Sequence, residues 1–234
     1  MQNAEIIVAV RHVCMIDLSR IKGVIFDVDG TLLDSMQMWG NVQAEYLKSL
    51  GVKPRSDLRD VLRSIGGHET SGYFQVEYGV RKSAEEINSG IYMLMGEFYK
   101  KKVALKSGAI VVLDALRERG TKICAATATD RDLIEPGLRR CGLLDYFSRV
   151  FTCREECTSK SSPDIFIRAA AFLGTDIGDT LVVEDALYAI RAAKRAGFPV
   201  AAVYDLSADN QQDEIRELSD FYFESMDEML NYLL

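Results

Sequence analysis

Short, almost unbroken apolar runs recur along this 234-residue chain: "KGVIFD" (22–27), "KICAAT" (122–127), "RVFTC" (149–153), "TLVVED" (180–185), "PVAAVYD" (199–205) and "DFYFES" (220–225). After residue 107 they alternate with helical patterns that begin near Ala109, Asp132, Pro163, Ala186 and Gln211. A strand that is apolar on both sides has to be covered on both, and helices between such strands are what parallel crossovers require. Pro163 stands where a first-turn proline is tolerated, and Gly120, Gly142, Gly174 and Gly197 stand where helices stop. The expected fold class is α/β, built on a parallel sheet.

Between Asp34 and about Lys106 the texture changes. Apolar residues fall at helical spacing, first Trp39, Val42, Tyr46 and Leu47, then Leu58, Val61 and Leu62, then Ile87, Ile91, Leu94, Met95 and Phe98. No strand-like run interrupts them. The division expected is an α/β core from residues 1–33 and 107–234, with a helical insertion at 34–106. In open α/β sheets ligands bind beyond the carboxyl ends of the strands. An insertion that leaves from that edge would roof the site.

Those carboxyl ends carry the polar residues. Asp27 and Asp29 end the first run, Thr127 the second, and Glu184 and Asp185 end "TLVVED"; Lys160 lies in the loop "TSKSSPD" before the helix opened by Pro163. Acidic groups crowded together repel unless a cation joins them, and Mg²⁺ suits a few carboxylates plus a substrate phosphate. A metal and Lys160 would favour an ionised aspartate. Such an aspartate can attack phosphorus, with Lys160, the Thr127 hydroxyl and backbone amides near Gly30 meeting the phosphoryl charge, and Asp29 handling protons. Each residue alone also has a bland reading: strand-end turn, surface lysine, or helix cap. The pattern Asp-x-Asp-Gly-Thr as a whole arises by accident in on the order of one chain in a thousand of this size.

Four segments, "DVDGT" (27–31), "ICAAT" (123–127), "SKSSPDIF" (159–166) and "LVVEDALYAIRAAKRAG" (181–197), resemble, in order, the four motifs of the haloacid dehalogenase-like superfamily. The likeness spans about residues 21–205, and the insertion resembles that family's helical C1 cap. It implies a modified Rossmann core and aspartyl-phosphate chemistry with Mg²⁺. Carried onto this chain, it makes Asp27 nucleophile and metal ligand, and Asp29 acid/base with a backbone carbonyl on the metal. It makes Thr127 and the Ala128 amide phosphate-binding, Lys160 charge-stabilising, and Asp185 with Glu184 the remaining metal ligands. Ser161 departs from the proline that many members have there. Asp29 itself disfavours dehalogenation.

The expected activity is hydrolysis of a small phosphorylated metabolite, with a beta-phosphoglucomutase-like mutase as alternative. Such mutases place a histidine near where Trp39 falls and an arginine near His68 and Glu69, which favours hydrolysis. A non-catalytic protein that kept the fold is disfavoured because the polar set is intact.

Composition narrows the partners. The net charge of −7, with no block of Lys and Arg, excludes a nucleic-acid backbone as an expected ligand. The N-terminal stretch is interrupted by Arg11 and His12, too short and charged to span a bilayer, and reads either as an extra edge strand or as residues before a start at Met15. Five sparse cysteines, with "CREEC" (153–157) lacking a second ligand pair, read as free thiols in a reducing cytoplasm rather than as zinc ligands or disulfides. Substrate identity and oligomeric state have no signal in the sequence.

Overall fold

The computed structural model describes residues 20–66 and 69–233. Six strands, β1 (Gly23–Phe26), β4 (Lys122–Thr127), β5 (Val150–Thr152), β6 (Thr180–Glu184), β7 (Val200–Val203) and β8 (Phe221–Phe223), form one sheet in the order β5-β4-β1-β6-β7-β8. All of its pairings are parallel, with Gly23 in register with Lys122 on one side and Thr180 on the other. β1 is therefore central and wholly buried.

Alternation along these strands divides the apolar side chains between two layers. Val24 and Phe26 join Ile123, Ala125 and Val183 beneath α5 (Ala109–Glu118), α6 (Arg131–Arg140) and α10 (Met226–Leu233). Ile25 joins Cys124, Ala126 and Val182 on the other face, beneath α7 (Asp164–Leu173), α8 (Leu187–Arg195) and α9 (Gln212–Leu218). Each fully buried side chain of this kind contributes about 1.5–3 kcal/mol relative to exposure. Because the strands are parallel, Asp27, Thr127 and Glu184 emerge at one edge.

The chain leaves that edge through β2 (Leu33–Asp34) and returns through β3 (Ala104–Leu105), which pair antiparallel, with Leu33 opposite Leu105. Among the described residues four helices lie between them: α1 (Met36–Ser49), α2 (Leu58–Ile65), α3 (Thr70–Glu77) and α4 (Ala84–Lys101). They enclose a small core of their own around Tyr46, Leu47, Leu58, Phe74, Val80 and Ile87. α4 opens on a capping box, in which Ser83 Oγ accepts from the Glu86 amide at 3.1 Å and Glu86 accepts from the Ser83 amide at 2.7 Å. Glu85 and Glu86 in its first turn and Lys100 and Lys101 in its last complement the helix dipole.

Three differences from the sequence reading are local. α3 buries Thr70, Ser71 and Phe74, so two of its three inward residues are polar and no apolar helical spacing marks it. β2 and β3 are two residues each and show no alternation at all. α10 closes the described chain where no helix was expected, its Met226 and Met229 buried against the sheet layer. The N-terminal stretch through residue 19, and with it the alternatives weighed for that segment, lies outside the described residues, as does His68. Among the described residues no helix is long and apolar enough to cross a membrane, and Cys124, Cys141, Cys153 and Cys157 are free.

Candidate active site

β1 delivers Asp27 to the sheet rim, where its backbone N–H still donates to the Val183 carbonyl at 2.9 Å. The chain then turns tightly, with Leu32 and Leu33 amides both bonded to the Val28 carbonyl. Gly30 makes the turn with φ +91°, and a side chain there would run into the Asp185 carboxylate. The glycine of "DVDGT" is thus required twice, by backbone conformation and by the approach of β6.

Asp27, Asp29, Thr127, Ala128, Lys160, Glu184 and Asp185 all line one cavity of about 910 Å³. Its roof is the helical insertion, which contributes Trp39, Arg59 and Arg63 among others.

Lys160, 3% exposed, is the centre of a buried charge cluster. Its ammonium donates to Asp27 Oδ1 and, at 2.5 Å, to Glu184 Oε1. Glu184 Oε2 accepts from the Asp185 and Ala186 amides, both at 2.8 Å, so this carboxylate also ties down the turn into α8. Asp185 accepts from the Thr31 hydroxyl at 3.1 Å. Burial would lower the Lys160 pKa, but the flanking Asp27 and Glu184 carboxylates hold it above the ordinary lysine range.

The carboxylates are short of positive charge. Burial pushes Asp27 up to about 7, against the pull of Lys160, with Glu184 and Asp29 adding to the rise. Asp185 is raised well above the carboxylate range by burial and by its neighbours Glu184 and Asp27. Asp27, Glu184 and Asp185 each offer an oxygen within 4.8 Å of the others. Asp27 Oδ2 is buried without a hydrogen-bond partner among the described residues. A hard divalent cation answers all of these observations, because it takes oxygen ligands and relieves the mutual repulsion. The donor set fits Mg²⁺.

Asp29 sits differently. Its Oδ1 accepts from Ser35 Oγ at 2.6 Å and from the Tyr99 hydroxyl, and its Oδ2 accepts from Thr129 Oγ1 at 2.7 Å and from Thr127 Oγ1 at 3.4 Å. Ser35, Thr129 and Tyr99 escaped the sequence reading, as did the contact of Thr31 with Asp185. Thr31 lies inside the Asp-x-Asp-Gly-Thr pattern, which was the available signal; the other three belong to no pattern and meet Asp29 only through the fold. Arg131, read as a helix-start residue, is the first residue of α6 and is paired with Glu155 at 2.5 Å.

A sequence profile of the haloacid dehalogenase-like hydrolases matches residues 24–203. The chain belongs to this family. The Bacillus subtilis protein YhcW, named as a phosphatase, is 29% identical over 187 residues, which cover 78% of this chain and 83% of YhcW. A bifunctional riboflavin kinase/FMN phosphatase of Arabidopsis thaliana is 30% identical over 214 residues, 90% of this chain and 53% of that enzyme. Among solved structures, a Thermotoga maritima protein described as a beta-phosphoglucomutase superposes with a TM-score of 0.80 over 91% of this chain and 98% of that one, at 22% identity. That last likeness concerns the fold. This family member is an enzyme of the phosphatase class.

Proposed function

We propose that the chain hydrolyses a small phosphorylated metabolite, in a Mg²⁺-dependent reaction, through a phosphoaspartyl intermediate on Asp27. The observation that carries this reading is Asp27 itself: one oxygen is neutralised by Lys160, while the other is buried and, among the described residues, unpartnered in a cavity rimmed by Thr127 and Asp185. In this reading residues 1–33 and 107–234 are the catalytic core and 34–106 the cap that selects substrate.

Asp27 attacks phosphorus as the bond to the leaving oxygen breaks, and Asp29 supplies that oxygen with a proton. Lys160, the Thr127 hydroxyl and the Ala128 amide meet the charge on the phosphoryl oxygens. Asp29, now a carboxylate, takes a proton from the water that attacks the aspartyl phosphate; inorganic phosphate leaves and Asp27 is restored. Asp27, Asp185, the Asp29 carbonyl and Glu184 would hold Mg²⁺, which would supply charge neutralisation when bound. Ser161 replaces a proline without dislodging Lys160, whose two ion pairs are intact.

Hydrolysis is favoured over phosphoryl return to a sugar by Trp39. Its indole N–H is spent on the Tyr99 hydroxyl at 2.8 Å, and an indole has no lone pair with which to take a proton from a sugar. The test is release of inorganic phosphate from sugar phosphates, nucleotides and phosphoglycolate, with Mg²⁺ or with chelator. Asp27→Asn is expected to reduce turnover at least about 1,000-fold with an unchanged circular dichroism spectrum; unaltered activity would refute the nucleophile. β-Glucose 1-phosphate should yield free phosphate, and glucose 6-phosphate as product would establish a mutase instead.

A further inference from the structure

We infer that Tyr99, backed by Trp39, is a positioning residue for Asp29, so that the insertion helices aim the acid/base carboxylate as well as roofing the cavity. The inference rests on the phosphatase reading above.

Tyr99 lies near the end of α4, seventy positions from Asp29 in sequence, and is fully buried. It reaches Asp29 Oδ1 with its hydroxyl. The direction of this bond is set by its neighbour. Trp39, in the first turn of α1, donates its Nε1–H to the same hydroxyl at 2.8 Å. Indole N–H is a donor only, so the phenol oxygen accepts from Trp39 and its single proton turns to Asp29. Accepting one bond also polarises the phenol towards giving the next.

The ring occupies a built niche. Gly137, inside α6, lies against it: a Cβ there would meet Tyr99 Cδ1 at 3.0 Å and Val103 Cγ1 at 3.3 Å. On the carboxylate, Tyr99 and Ser35 hold one oxygen while Thr129 and Thr127 hold the other. Close donors on both oxygens, Tyr99 and Ser35 on one and Thr129 on the other, fix the plane of the group as well as its place, while Thr127 at 3.4 Å is held loosely enough to turn to a phosphoryl oxygen. Of the four, Tyr99 is the donor that comes from the far end of the insertion. Trp39 and Tyr99 also lie near the two chain crossings, Trp39 shortly after β2 and Tyr99 shortly before β3.

Tyr99→Phe keeps the ring in its niche and removes only the donor. The experiment compares two esters with Mg²⁺ present: phenyl phosphate, whose leaving oxygen needs a proton, and 2,4-dinitrophenyl phosphate, whose leaving group does not. Tyr99→Phe is expected to lower kcat/KM for phenyl phosphate about 10- to 100-fold, and for the dinitrophenyl ester less than about threefold. Trp39→Phe, which leaves the hydroxyl but unties its orientation, should show the same selectivity with a smaller loss. Trp39 is the single tryptophan of the chain, so its fluorescence reads the relay directly, and Tyr99→Phe should shift its emission. Equal losses on both esters, or wild-type kcat/KM on phenyl phosphate, would overturn the positioning role while leaving the phosphatase reading standing. A wild-type chain that cleaves neither ester would remove both.

Discussion

Lys160 pairs with two carboxylates, Asp27 and Glu184, and all three are at most 5% exposed. Removing one partner from such a cluster leaves charge without compensation in a poorly solvated place, at a cost of about 3–5 kcal/mol. Lys160→Met is therefore expected to lower the urea midpoint markedly when chelator is present, besides abolishing turnover; an unchanged midpoint would show that the carboxylates escape repulsion without the ammonium. The thiols divide on burial in the same way. Cys124, fully buried in β4, is pushed up to about 12 by its surroundings, whereas Cys157 is exposed. Since the thiolate is the reactive form, a thiol reagent at pH 8 should label Cys157 in the native protein and spare Cys124 until denaturant is added. Mass spectrometry of the labelled peptides reads the outcome.

At the level of elements, the contact of α4 with α6 decides where Tyr99 stands. A glycine in mid-helix costs about 1 kcal/mol relative to alanine, so Gly137→Ala would stabilise α6 if space allowed. Space does not allow it, because the added methyl would press on the Tyr99 ring and on Val103. Overpacking of this kind costs about 1–3 kcal/mol, which exceeds the propensity gain over most of that range. The variant should unfold at lower temperature than wild type and lose phosphatase activity through displacement of Tyr99; a gain in both would contradict the packing argument. The parallel strands and their helices were readable because both run long enough to repeat their periods. α3 was not, because its buried face is mostly Thr70 and Ser71 rather than apolar, and the β2–β3 pair was not, because two residues are too few to alternate.

For the whole molecule, the site gathers buried carboxylates whose mutual repulsion a bound cation would relieve, as the proposed reaction requires. Burial raises both Asp27 and Asp185 above their ordinary range, helped by Glu184 and Asp29 at Asp27 and by Glu184 and Asp27 at Asp185. A ligand that binds the folded state at about a hundred times its Kd stabilises by about 2.7 kcal/mol. For a chain of this size that corresponds to roughly 5–10 °C in the melting temperature. Excess Mg²⁺ should raise the melting temperature by that amount, chelator should reverse it, and Asp185→Asn should blunt it; a melting temperature indifferent to Mg²⁺ would remove the cation from the account.

Asp27, Asp29, Thr127, Glu184 and Asp185 were legible in the linear chain because a parallel sheet sends every strand to one edge, so residues at strand ends meet there, whereas Lys160, in the loop before α7, was marked only by its motif. The same regularity marked the insertion by its change of period. What surrounds Asp29 was decided only in three dimensions. Tyr99 meets it from seventy positions away, through the packing of α4 on α6 and the missing side chain at Gly137. No local period encodes a contact of that span. It exists only where separately folded layers pack, and there shape and hydrogen-bond direction choose the partners.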